Sequence, residues 1–174
     1  MNLDNLHSLR FPLGEMPIIE NSTDEQRQIW INDIEILPKK LRETAHNLSL
    51  IQLATPYREG GWTARQVVHH LADSHINAYI RFKLALTEEN PTIRPYMEDR
   101  WATLQDSNLP IEISLHIIEG IHARWTHLLR GMTSQDFQRT YVHPEHGKVF
   151  SLGAALGMYA WHGRHHIEHI KMVK

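Results

Sequence analysis

Apolar residues recur at spacings of three and four along four long stretches of this chain, each bounded by residues that start or stop a helix. In the first, Ile29, Trp30, Ile34, Leu37, Leu41, Ala45 and Leu48 keep one face apolar. Ser22, with Glu25 three positions on, reads as a capping box that opens it. Pro38 removes an i→i−4 bond and predicts a kink or a restart there. The second stretch opens on a capping box of Thr63 and Gln66 and should run to about Thr87. The third begins near Pro110, carries Leu115, Ile118, Ile121, Trp125, Leu128 and Leu129, and stops at Gly131. The fourth spans about Leu152 to Met172.

Between and around these stretches the pattern breaks. Pro12, Gly14 and Pro17 predict an irregular arm over residues 1–21, and Thr55 to Gly61 reads as a loop. Asn90-Pro91 and Arg94-Pro95 mark a long connection with one short helix around Glu98–Leu104. Arg139 to Val142 and Lys148 to Phe150 flank a Pro/Gly turn and predict a small β-hairpin. The expectation is an all-α fold, a four-helix bundle with long connections and a hairpin before the last helix, forming one domain over residues 1–174.

Charge and composition narrow the function classes. Eighteen Lys+Arg against 20 Asp+Glu give a formal charge of −2. That balance argues against a nucleic-acid surface, which needs a concentrated basic excess. With no cysteine in the chain, disulfides, thiolate metal sites and a cysteine nucleophile are excluded. No apolar run reaches the ~18 residues of a membrane span, and the first residues do not read as a signal peptide, so the expected address is the cytoplasm. Against this ordinary background stand 14 histidines.

Several of them fall on one arc of the fourth helix. At about 100° per residue, with His162 at zero, His166 lies near 40°, His169 near 340° and His165 near 300°. His162 and His166 are nearest the apolar face, and His165 is predicted farthest towards solvent. Imidazoles at i and i+4 lie one above the other and can share a metal ion. On the second helix His69, His70 and His75 are candidates for a third ligand. His75 falls on the apolar face with Val67, Leu71 and Phe82, and His70 at its margin; the periodicity does not select among the three. Gly163 stands where a zincin carries its glutamate, so that protease template fails. Gln66 and Tyr159 stand where a di-iron bundle carries glutamates, so that one fails too.

At these residues the chain resembles the DinB-like four-helix-bundle superfamily, in its YfiT-type branch. The resemblance is carried by TPYREGGWTARQVVHHLADSH at 55–75, YIRFKLALTEE at 79–89, RPY at 94–96 and ALGMYAWHGRHHIEHI at 155–170. It implies a metal-dependent hydrolase, with relatives that act as bacillithiol S-transferases. It also implies one divalent ion, zinc or nickel, held by His70, His162 and His166. Gly163 and Arg164, between two of these ligands, are departures that would alter the pocket wall.

Three nitrogen ligands leave an open position, the pattern of a catalytic site. Three readings follow: hydrolysis of a small-molecule substrate by activated water, transfer of a low-molecular-weight thiol to an electrophile, or metal binding without catalysis. For hydrolysis the candidate bases are His143 or His146 in the hairpin. For thiol transfer, Arg94, Arg100 or Arg164 could hold the carboxylates of the thiol. Relatives of this kind pair as homodimers, and the same is expected here.

Overall fold

The computed structural model describes residues 3–145 and 147–173; His146 lies outside the described residues. Its elements are α1 (Leu3–Arg10), α2 (Asp24–Ala45), α3 (Leu50–Leu53), α4 (Ala64–Thr87), α5 (Glu98–Trp101), α6 (Ile111–Arg130), β1 (Thr140–His143), β2 (Lys148–Ser151) and α7 (Leu152–Lys171). The four long helices are those read from the apolar spacing. No described helix is long and apolar enough to cross a membrane.

α2 packs against α6 and α7, and α4 packs against the same two, so α2 and α4 face each other across a diagonal. Two apolar cores are stacked along the bundle. One gathers Ile31 and Ile34 of α2, Ala78 to Ala85 of α4, Trp125 and Leu129 of α6, and Leu152 to Tyr159 of α7. The other gathers Leu37 and Leu41, Val67 and Leu71, Leu115 and Ile118, and Ile167 and Ile170 from the same helices. The order in which each helix enters the two cores sets its direction: α2 and α7 run one way, α4 and α6 the other. Neighbouring parallel helices cannot be joined by a tight turn. The chain between α4 and α6, residues 88–110, therefore travels the length of the bundle, with α5 and a 3-10 turn at Gln105–Asn108 on the way.

The hairpin pairs β1 with β2 antiparallel, with Tyr141 opposite Phe150 and His143 opposite Lys148. A parallel bridge from Thr92 to Val142 ties it to the long connection. Thr63 and Gln66 cap α4 reciprocally, as read from the sequence.

Four local expectations are corrected. The arm is not irregular throughout: Leu3–Arg10 is helical, because the chain breakers begin only at Pro12. The capping box of α2 is Thr23 with Gln26 rather than Ser22 with Glu25. Ser22 instead accepts from Arg27 through its carbonyl and its hydroxyl. Leu48 lies outside the first helix, which ends at Ala45 before Ser49 and Gln52 cap the short α3. Pro38 does not restart α2, which runs unbroken from Asp24 to Ala45 with the ring buried inside it.

Candidate metal centre

Between the two apolar cores lies a polar layer to which each long helix contributes one group: the Ile34 carbonyl of α2, His75 of α4, His122 of α6 and His162 of α7. His75 is fully buried and His122 is 2% exposed. Nδ1 of His122 lies 2.5 Å from the Ile34 oxygen, Nδ1 of His75 lies 2.9 Å from Nε2 of His122, and Nδ1 of His162 lies 3.3 Å from Nε2 of His75. Burial pushes the His122 pKa down to about 4 and holds those of His75 and His162 well below the usual imidazole value. All three rings are therefore neutral near pH 7, with one N–H each.

Neutrality determines every proton in the chain. A carbonyl only accepts, so Nδ1 of His122 carries the hydrogen and its Nε2 a lone pair. His75 must then donate from Nδ1, and His162 must donate from its own Nδ1 to Nε2 of His75. What remains at the end is a bare lone pair on Nε2 of His162. That atom lies 3.2 Å from Nε2 of His70.

A second, shorter chain treats His166 in the same way. Nε2 of His169 lies 3.2 Å from the Arg10 carbonyl oxygen, and the Nδ1 atoms of His169 and His166 are 3.3 Å apart. Burial lowers the His169 pKa to about 4 and that of His166 well below its usual value. His169 donates to the carbonyl from Nε2, so its Nδ1 accepts and His166 donates from Nδ1. Nε2 of His166 is left with its lone pair.

His70, His162 and His166 each offer one ring nitrogen, and the three lie within 4.8 Å of one another. Two nitrogens bound about 2.0–2.1 Å from a tetrahedral ion would sit about 3.3 Å apart, close to the His70–His162 separation. Burial also pushes His70 down to about 4, which keeps its lone pair available. Neutral imidazoles at this spacing, with the remote nitrogens of His162 and His166 tied back to His75 and His169, fit a divalent ion. His162 and His166 keep part of their surface open to a cavity of about 1130 Å³. The arm bearing Phe11 and Ile19 forms one wall of that cavity, and the hairpin forms another.

A profile of the DinB superfamily matches residues 33–170. The chain belongs to the DinB superfamily. It is 51% identical over 169 residues, 97% of either chain, to a Bacillus cereus protein named "Putative metal-dependent hydrolase", and equally so to a Bacillus thuringiensis protein of that name. Among solved structures it is similar to YfiT from Bacillus subtilis, with a TM-score of 0.93 and 49% identity over 95% of each chain. YfiT is described as "a probable metal-dependent hydrolase with an unusual four-helix bundle topology".

In this DinB superfamily chain, the structure brings together the three histidines that the resemblance implied. His69, a neighbour in sequence, turns away: its Nε2 meets the Leu109 carbonyl and its Nδ1 the Ser114 hydroxyl, at 3.1 and 2.7 Å. His165 is not the solvent-facing histidine that the periodicity predicted. It is buried, stacked on Trp161 at 4.3 Å between ring centroids and approached by Phe11, because the arm lies across that face. His143 is buried in the cavity wall.

Gly163 and Arg164 do not form the pocket wall. A Cβ on Gly163 would come within 2.6 Å of Leu37 on α2, and Arg164 pairs with Asp33 at 2.6 Å on the same helix. Arg94 and Arg100 are also off the cavity; its basic lining residues are Arg10, Arg58, Arg81 and Lys148. Sequence reasoning missed His122 altogether. Its signal was there: Leu115, Ile118, His122, Trp125 and Leu129 form one apolar stripe, interrupted by a single imidazole.

Proposed function

We propose that this chain is a metal-dependent hydrolase acting on a small molecule, with His70, His162 and His166 as the ligands of a zinc or nickel ion. The observation that carries this reading is the pair of carbonyl-anchored chains that leave Nε2 of both α7 histidines as lone pairs facing the cavity. Held by these three neutral nitrogens, a divalent ion would supply Lewis acidity that lowers the pKa of a bound water towards 7. The names of its close relatives support the same class. The protein itself supplies orientation through His75, His122 and His169, and a cavity large enough for the substrate. His143, buried in the wall of that cavity, is the base proposed to take the proton from water.

The test is turnover of ester and amide substrates by zinc- or nickel-loaded protein with no thiol present. His162→Ala should lose both bound ion and rate while keeping its helical circular dichroism. An unchanged rate in that variant, or in metal-free protein, overturns the reading.

One observation favours thiol transfer as a second reading. The described carboxylates that line the cavity, Glu20, Glu98, Asp99 and Glu145, are all exposed, so none is a buried base. A low-molecular-weight thiol, with a pKa near 8.5, needs less help to ionise than water does. Turnover that requires both a thiol and an electrophile supports this alternative; a loaded protein inert in both assays leaves metal binding alone. A homodimer is also proposed, on the exposed Ile113 and Ile117 one turn apart on α6; a monomer mass by light scattering overturns it.

A further inference from the structure

Two arginines of this protein are buried to the same degree, each 8% exposed, and they differ in what answers their charge. Arg27 pairs with Asp24. Arg81, on α4 about three turns beyond His70, forms no ion pair with any described carboxylate. Its Nη1 donates to the Tyr159 hydroxyl at 2.9 Å, and its Nε is buried with no acceptor. A guanidinium stays charged at any physiological pH, and withdrawing it from water without a counter-charge is strongly unfavourable.

The surroundings of Arg81 supply donors rather than an anion. Tyr96, Tyr141 and Tyr159 all lie within its electrostatic reach, and burial pushes each phenol pKa upward, so all three stay protonated. Tyr159 accepts from Arg81 and keeps its own hydrogen to donate. Arg81 and Tyr159 line the same cavity as the three histidines. The Tyr159 ring lies 6.2 Å from the His162 ring, so one small molecule can reach from one to the other.

We propose that Arg81 and Tyr159 form a subsite for one carboxylate of the substrate, the rest of which extends to the histidine cluster. A planar carboxylate accepts from a guanidinium edge, and its single charge balances a single cation. A phosphate monoester would place nearly two charges in one group against a single guanidinium and leave one unanswered there, whereas a dicarboxylate keeps its second charge several ångströms away. The role of the far end rests on the hydrolase reading, but binding of the anion does not.

The test uses glutarate, its diamide and inorganic phosphate as probes, titrated calorimetrically at pH 7.5 into metal-free and zinc-loaded protein. Metal-free wild type should bind glutarate, bind phosphate more weakly, and ignore the diamide. Arg81→Gln should weaken glutarate at least tenfold while still loading one zinc per chain, and Arg81→Lys should recover part of the loss. Should Arg81→Gln fail to fold, Tyr159→Phe keeps the ring in the core and should weaken glutarate about three- to tenfold. The subsite is overturned if metal-free wild type does not bind glutarate, if the diamide binds as well, or if glutarate affinity survives in these variants. Tighter binding of phosphate overturns the carboxylate assignment. Failure of the metal centre reads out separately, as wild type that retains no zinc yet still binds glutarate.

Discussion

Nδ1 of His122 lies 2.5 Å from the carbonyl oxygen of Ile34, the carbonyl that Pro38 deprives of its helical donor. A proline four residues on has no N–H to give, so a backbone acceptor stands open in the middle of α2. His122 fills it from α6, and the resulting proton order passes through His75 to His162. The proline that threatened the helix in the sequence therefore anchors the orientation of a candidate ligand two rings away. Partners of this kind affect metal affinity by about 10–100-fold. His122→Ala should weaken zinc binding by that factor in a chelator competition. Pro38→Ala, which returns a competing N–H to Ile34, should weaken it less and stabilise the helix. An unaltered zinc affinity in His122→Ala would remove the chain from the site.

The arm makes the same kind of contribution to His166. The Arg10 carbonyl at the end of α1 accepts a hydrogen bond from Nε2 of His169, and Tyr57 stacks on the His169 ring with centroids 3.9 Å apart. Deleting residues 1–20 should lower zinc affinity by about 10–100-fold and leave the four long helices in place. Hydrogen exchange on α2, α4, α6 and α7, with zinc titration beside it, separates this outcome from general unfolding.

Gly163 directly follows His162, between the two candidate ligands of α7, and a Cβ there would come within 2.6 Å of Leu37. Gly163→Val places branched carbons into a buried contact, so stability should fall by about 1–3 kcal/mol. The helix must shift to accommodate them, and both imidazoles move with it. Urea titration and zinc affinity should therefore deteriorate together. Loss of stability with full zinc affinity would show that the ligands do not depend on this packing.

Acid should destabilise the metal-free protein over a definite window. His70 and His122 have folded pKa values of about 4, below the unfolded value of 6.5. A lowered pKa means the unfolded chain takes up the proton first, so their contribution is complete above pH 6.5. It is lost as pH falls towards 4, at up to about 1.4 kcal/mol per pH unit for each histidine. Melting temperatures between pH 7.5 and 4.5 measure this, and His122→Gln should flatten the profile.

Much of the molecule is legible in its sequence. The apolar spacing of the four helices, the Thr63–Gln66 cap, the hairpin and the His162/His166 pair are local patterns, set by backbone geometry over a few residues. Such patterns survive in the sequence because i and i+4 are neighbours in any helix. The choice among His69, His70 and His75 was not legible, since all three share one helix and differ only in what stands opposite. Resemblance pointed to His70, and the packing of α4 against α7 brings its nitrogen to the pair.

What the sequence determined by itself was the helical scaffold and the two imidazoles that one helix presents side by side. Only the tertiary structure decided the rest: that His165 is covered by the arm, that Arg81 is buried without a carboxylate, and that an open carbonyl beside Pro38 meets His122. Each of these depends on groups far apart along the chain. Their charge, tautomer and accessibility are set by what packs against them, and no local periodicity encodes that.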